Sequence, residues 1–496
     1  MMDLILAIDQ GTHSTRAMIF DMRGRVASSA QQPVTLQCHS RTEIEQSPAE
    51  ILKSMRAVIK SVLDDPAIDR QHIICAGLAT QRSSVVAWDR YSGRPLSPVI
   101  SWQDRRTADR LHDLQDKSRN IQQLTGLQLS PHYGASKLQW LLENNGAVAA
   151  ALDTHTLVMG PLASYLLHHL TDRSDELVDD ANASRTLLWN LKQRNWDSRL
   201  LGYFEIPRRV LPECKPICYD YGTLRGSAIP LRAVNGDQTA ALHAHGMPSA
   251  NTVTVNIGTG AFVLLPTDDP LTRPDGLLAG ISHSDSHVGS YYIEGTVNAA
   301  AAALEWASRT FDLNDVEQQL PGWMETVKAP TLFINTLGGL GSPWWREGPA
   351  AHFLDAGVSG PEALVAVIES VIFLLQANIT LLQSVNPAVD KIQISGGLSS
   401  VDGLCQKLAN LSGLAVQRRI SGTSVDTPGT YRGEATSRYR VRRSFPPWSS
   451  SGRKKCPAAI LYLRIGEQMC RKMSAITRDV RVSRQRYDVD AGQVSV

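Results

Sequence analysis

The chain has 496 residues, 43% of them hydrophobic and 20% charged, with 36 Gly and 25 Pro. A single hydrophobic core stops growing near ~250–300 residues, so two domains with a cleft between them are expected. The composition excludes a disordered scaffold and a disulfide-dense module: seven cysteines are scattered, and the one close pair, Cys214 and Cys218, lacks the spacing of a zinc knuckle.

The net charge of +2 conceals an asymmetry, because residues 418–496 carry 14 Arg and 3 Lys against 6 acids while residues 1–417 sum to −9. Few aromatics accompany the basic residues and no nucleic-acid-binding module stands beside them, which argues against a nucleic-acid partner.

Met1–Ile8 runs directly into a polar loop without the charged, apolar and cleavable parts of a secretory signal, so a cytoplasmic location is expected. Leu4–Asp9 reads as a buried strand that enters the turn Gln10-Gly11-Thr12-His13-Ser14, and Ala17–Phe20 as the strand that leaves it. A turn of small residues lets the main chain approach an anion closely, so this hairpin is a candidate phosphate loop. Next come a helix over Ser47–Leu63, strands at Ile73–Ala79 and Val85–Trp88, and a helix over Gly134–Glu143.

The hairpin recurs half a chain later. Thr252–Ile257 is followed by Gly258-Thr259-Gly260 and then by Ala261–Leu265, again strand, Gly/Thr turn, strand. A third turn, Ser395-Gly396-Gly397, follows the strand Lys391–Ile394 and precedes a helical pattern from Asp402 to Leu411, whose N-terminus suits a nucleotide. Ala363–Leu382 is apolar but interrupted by Glu369, Ser370, Gln376 and Asn378, so a buried helix is expected there and no membrane span. Paired hairpins in two halves suggest duplicated α/β lobes facing one ligand.

Further short motifs stand in order along the chain: Thr80-Gln81-Arg82, Trp88-Asp89-Arg90, Trp102-Gln103-Asp104-Arg105-Arg106-Thr107, Asn182-Ala183-Ser184-Arg185-Thr186, Gly236-Asp237-Gln238, Glu294-Gly295 and Pro343-Trp344-Trp345. With the three Gly turns, they make the stretch from Leu4 to Gln417 resemble the FGGY carbohydrate kinases, and within them the glycerol kinases. The resemblance implies a duplicated ribonuclease H-like fold of the actin, hexokinase and Hsp70 type, with an interdomain cleft. It implies an N-terminal domain over 1–247 and a C-terminal domain over 248–417. The implied activity is transfer of a phosphoryl group from ATP, with Mg²⁺, to a hydroxyl of a small polyol or sugar.

Residue by residue, the resemblance makes Asp237 the general base. It makes Asp9 the metal-orienting carboxylate, and Thr12, His13, Ser14 and Arg16 the first phosphate loop. Gly258, Thr259 and Gly260 would form the second loop, while Gly396, Gly397, Ala301 and Val401 would lie against the nucleotide. Arg82, Trp102, Gln238 and Phe262 would enclose the acceptor with Asp237. Two acceptor positions depart from glycerol kinases, which have Glu where Ser83 stands and Tyr where His132 aligns; a shift by one residue would put Tyr133 in that role. A lost carboxylate weakens a polyol contact by ~1–3 kcal/mol or admits another acceptor, such as a ketose or tetritol. Ala301 and Val401 replace a Gly and an Asn at the nucleotide side.

The family's last helix motif is not seen in clean form after Gln417. Glu434-Ala435-Thr436 occurs, but Arg-rich sequence follows, consistent with a shifted reading frame, a disordered tail or a basic appendage. An impaired relative therefore stands as the alternative to an active kinase. Homo-oligomers occur in the family, and no segment of the sequence identifies an interface.

Overall fold

The computed structural model describes residues 3–243, 247–418 and 429–432; the expectations for the rest of the basic tail lie outside the described residues. The first lobe is built on β1 (Leu4–Gln10), β2 (Ser14–Asp21), β3 (Val26–Pro33), β4 (Ile73–Thr80) and β5 (Leu231–Gly236), in the order β5-β4-β1-β2-β3. The first three form an antiparallel meander, and β4 and β5 continue parallel to β1. The strands interior to this sheet are apolar on both faces, as strands covered on both sides must be.

The second lobe repeats the plan with β6 (Thr252–Ile257), β7 (Ala261–Thr267), β8 (Leu278–Ser284), β9 (Gly289–Val297), β10 (Lys391–Ser395), β11 (Ala415–Arg418) and β12 (Gly429–Tyr431). Their order is β8-β9-β7-β6-β10-β11-β12. Here β6, β7 and β9 make the meander and β10 and β11 the parallel extension, with β8 and β12 added at the edges. The shared order of meander and extension is the duplicated fold of actin and hexokinase.

In each lobe one long helix leads into the parallel strand that follows the meander: α1 (Pro48–Leu63) in the first and α2 (Gly360–Val385) in the second. Both start on the same local signal, Ser-x-x-Glu with Pro in the first turn. Ser47 accepts the Glu50 amide, and Ser359 accepts the Glu362 amide. Ile51, Met55, Val58 and Val62 of α1 fall on one face at helical spacing and are buried against the first sheet. Each such side chain contributes roughly 1.5–3 kcal/mol by leaving water. Helix α2 is long and apolar enough to cross a membrane by composition, yet most of it is enclosed in the second core.

One sheet was legible in the residues only at its Val85–Trp88 strand. A small sheet of Gln37–Cys38, Ile44–Gln46, Val85–Asp89, Val99–Ile100 and Leu157–Pro161 stands beside the first lobe. Its strands are two to five residues long, too short for an alternating pattern to emerge. No disulfide links the five described cysteines.

Candidate active site

Strands β5, β4 and β1 are adjacent, parallel and in register at their C-terminal ends: Gln10 pairs with Thr80, and Thr80 with Gly236. The chain therefore leaves the sheet at three neighbouring points of one edge, where open α/β sheets bind ligands. Those exits carry Asp9 and the first hairpin, Gln81-Arg82-Ser83, and Asp237-Gln238. The sequence-separated candidates are thus brought together by register alone.

Asp9 is buried at the end of β1, directly across from Arg16 on β2. The hairpin closes through the Gly11 amide on the Ser14 carbonyl, leaving His13 exposed at its tip with its carbonyl accepting from the Val34 amide. Thr12 is gripped on two sides: its carbonyl accepts from Gln46 Nε2 at 2.8 Å, and its hydroxyl from the Trp102 indole at 2.9 Å. Beneath it runs a buried amide chain in which Gln81 Nε2 donates to Gln10 Oε1 and Gln46 Oε1, and Ser84 donates to Gln81 Oε1. Buried amides that satisfy one another in this way hold a loop rigidly.

Arg82 is buried with its aliphatic stem over Gly236, where any Cβ would lie 2.5 Å from its Cγ and Cδ. Glycine before Asp237 is therefore a packing requirement. The guanidinium Nε faces Asp237 Oδ1 at 3.7 Å, and Nη1 donates to Tyr292 Oη at 3.1 Å and to Thr239 at 3.4 Å. Asp237 opens a short helix and accepts the Gln238 amide at 2.7 Å; both residues are half-exposed. Ser83 sits at φ +63° and donates to the Arg185 carbonyl at 3.3 Å. A non-glycine residue in that region stores strain that the surrounding fold must hold.

His132 packs against Trp102 with ring centroids 5.6 Å apart, so these two acceptor candidates stand together, and Tyr133 beside it lies under the Arg185 guanidinium at 5.8 Å. Burial, reinforced by Lys137, Arg105, Arg185 and Arg82, holds the His132 imidazole well below its ordinary range and therefore neutral. Burial pushes the Tyr133 phenol up to about 12.

Three residues that sequence reasoning gave no role complete the site. Lys137 is fully buried and donates to the carbonyls of Ser83, Ser101 and His132, tying together the neighbours of Arg82, Trp102 and the acceptor-side histidine. Tyr292, on β9 of the second lobe, reaches Arg82 of the first. Two residues on, Glu294 accepts from Arg185 Nη2 at 3.0 and 3.1 Å, with both side chains almost wholly buried. Residues i and i+2 of a strand share a face, so β9 pins the two lobes at two points. Gly280 makes room for Tyr292, since a Cβ there would meet its hydroxyl at 2.5 Å.

On the second lobe, β6 and β10 are adjacent and parallel, with Asn256 paired to Ser395, so their exits bring Gly258-Thr259-Gly260 beside Gly396-Gly397. Gly396 has φ +94°, and a Cβ there would lie 2.3 Å from the Ile257 carbonyl. Gly260 also lies close to the backbone, 2.6 Å from the Val297 carbonyl by the same measure. Ala301 opens a helix, and its amide is spent on the Gly258 carbonyl at 3.0 Å. Val401 caps the Asp402–Ser412 helix with its side chain turned into the core. Phe262, the remaining acceptor candidate, packs with Leu242, Leu264 and Tyr292 in a small cluster apart from the main cores.

Two glycine-lined turns in one lobe and three in-register carboxyl-end exits in the other, joined by buried cross-lobe contacts, are the architecture of a phosphotransferase cleft. Residues 4–236 match the FGGY family of carbohydrate kinases, N-terminal domain, and residues 253–423 the C-terminal domain of the same family. The glycerol kinase of Rippkaea orientalis is 33% identical over 432 residues, 84% of this chain and 86% of that protein. That of Brucella ovis is 33% identical over 438 residues, 85% and 87%. The crystal structure of Plasmodium falciparum glycerol kinase with ADP matches with a TM-score of 0.78 at 25% identity, covering 84% of this chain and 86% of that one. Ligand-bound xylulose kinase from Lactobacillus acidophilus shares the fold, with a TM-score of 0.77 at 18% identity over 97% and 99%. The chain belongs to the FGGY family of carbohydrate kinases, enzymes that transfer a phosphoryl group to an alcohol.

Proposed function

We propose that the protein phosphorylates a hydroxyl of a small polyhydroxylated acceptor from ATP, with Asp237 as the general base and the lobe boundary falling near residue 247. The observation that carries this reading is the register of β1, β4 and β5, which delivers Asp9, Arg82 and Asp237 to one edge. The acceptor oxygen attacks the γ-phosphorus, the bond from that phosphorus to the β-phosphate oxygen breaks, and ADP departs. Asp237 takes the hydroxyl proton as the new bond forms, and Arg82 at 3.7 Å steadies its carboxylate.

The residues also suit a nucleotide. Gly258 and Gly397 are partly exposed at the second-lobe exits, Gly260 and Gly396 let the turns pack closely there, and Thr12 still has its own O–H to donate, since Trp102 uses only its lone pair. His13, Ser14 and Arg16 continue the first loop around the phosphates. Among the described residues, no three His, Cys, Asp or Glu side chains converge on a metal site. Asp9 alone fits a Mg²⁺ that arrives with the triphosphate, where it would neutralise phosphate charge.

The test is acceptor-dependent ADP release by the full-length chain with Mg-ATP, across polyols, ketoses and sugar acids, beside Asp237→Asn. Turnover with at least one acceptor that disappears in the variant is expected. A folded wild-type chain inactive on every acceptor would overturn the reading.

A further inference from the structure

Arg82 is the cation that faces Asp237, and its donors are divided. Its Nε lies 3.7 Å from Asp237 Oδ1, and its Nη1 donates to Tyr292 Oη at 3.1 Å and to Thr239 Oγ1 at 3.4 Å. Nη2, which no described residue takes up, stays open to solvent. A guanidinium is planar, so whatever fixes Nη1 also sets the direction of Nη2 and the approach of Nε to Asp237. Of the two bonds to Nη1, only the one from Tyr292 is well inside hydrogen-bond range.

Tyr292 comes from the other lobe, and its own position is tightly fixed. It is buried on β9, and its ring packs with Leu242, Leu264 and Phe262, the last of these a second acceptor candidate. Its partner in the ladder with β8 is Gly280, where a Cβ would come within 2.5 Å of the Tyr292 hydroxyl. The strand thus carries a glycine at the point where the phenol crosses it. Ser83, next to Arg82 in the chain, spends its hydroxyl on the Arg185 carbonyl and gives Arg82 no support. The short bond that holds the guanidinium therefore crosses between the lobes.

We infer that Tyr292 is a positioning residue for the acceptor: its hydroxyl holds the Arg82 guanidinium beside Asp237 and sets the direction of the Nη2 donors left for the acceptor, while its ring backs Phe262. The inference rests on the kinase reading above and adds a residue of the second lobe to the acceptor side of the site. The hydroxyl is the only polar atom of the side chain, so Tyr292→Phe removes the hold on Arg82 and keeps the ring, its volume and its packing on Phe262. Arg82 then keeps only the long contact to Thr239, and its guanidinium is free to turn from the geometry that acceptor binding and proton transfer need. None of the bonds involved reaches the Gly258-Thr259-Gly260 or Gly396-Gly397 turns, so the nucleotide side is spared.

The experiment measures kcat and the KM values for acceptor and for ATP, with Mg-ATP and an acceptor that the full-length wild-type chain turns over. It compares wild type, Tyr292→Phe, Arg82→Met and the double variant, with thermal unfolding of each. Tyr292→Phe is expected to stay folded and to lower kcat/KM for the acceptor about ten- to a hundredfold, the scale of a hydrogen bond to a charged group, with the KM for ATP changed by less than about twofold. In the Arg82→Met background the same change should cost less than about threefold, because no guanidinium remains to be held. Unchanged acceptor kinetics in Tyr292→Phe, a matching rise in the KM for ATP, or the same loss with and without Arg82 would each overturn the inference. Where Arg82→Met turns over too slowly to measure, the split between acceptor and ATP in Tyr292→Phe decides. A wild-type chain inactive on every acceptor defeats the kinase reading and this inference with it, whereas an active wild type indifferent to Tyr292→Phe defeats the inference alone.

Discussion

The two lobes share a strand order and differ in what their strand ends carry. In the first lobe, the exits of β1, β4 and β5 bear Asp9, Arg82 and Asp237, underpinned by buried glutamines, a buried lysine and a strained serine. In the second, the exits of β6 and β10 bear glycines, and one long apolar helix runs through the core behind them. One topology thus supports two kinds of site. The first lobe presents side chains held by polar scaffolding, and the second presents turns whose close packing requires the absence of a Cβ. The polar lobe has the more costly interior, because every buried donor or acceptor must be answered.

The comparison is broken most severely at Asp237. Asp237→Asn keeps the shape and is expected to cut acceptor phosphorylation by about 10²–10⁴-fold while leaving the thermal transition in place, as read by coupled ADP release and calorimetry. Next is the buried pin between the lobes. Arg185→Met alone strands the Glu294 carboxylate and should cost about 3–5 kcal/mol in chemical denaturation, whereas Arg185→Met with Glu294→Met should recover most of that loss.

A third test concerns the polar interior. Burial raises the carboxyl of Asp179 to about 7, against its hydrogen bonds from Asn182, which act to lower it. Its folded pKa exceeds the unfolded value of 3.8, so its contribution is complete below that value and is lost as pH rises through 7. Unfolding followed at pH 5 and pH 8 should show about 2–3 kcal/mol less stability from this group at the higher pH, and Asp179→Asn should abolish that difference. The smallest effect belongs to the second lobe. Gly396→Ala forces a Cβ to 2.3 Å from the Ile257 carbonyl at φ +94°. It should cost about 1–3 kcal/mol and raise the KM for ATP with little change in the KM for the acceptor.

Much of this was legible in the residues. The helix from Ser47 follows from its apolar spacing and the two hairpins from apolar runs broken by small polar turns, whereas the second helix starts at Ser359, four residues before the apolar run from Ala363. Helix 360–385 could be separated from a membrane span by its polar interruptions, and the structure buries most of it. The motifs containing Arg185 and Glu294 were visible as strings, but their pairing was not, because 109 residues and a lobe boundary separate them. Tyr292 showed no signal of its own, being one of two adjacent tyrosines in its strand. Lys137 lies in the predicted helix Gly134–Glu143 with nothing in the sequence to mark it as buried, because its burial depends on three carbonyls from three different loops.

What the sequence determined by itself is therefore whatever rests on neighbours along the chain: the turns that need glycine, the caps, the alternation of strands and helices, and the family these imply. Only the tertiary structure decided which charges meet, that Arg82 is shared by Asp237 and Tyr292, and that Arg185 keeps donors to spare. The physical reason is that local propensities act over a few residues, whereas the balance of buried charge is a sum over side chains that only the folded sheet edges bring together.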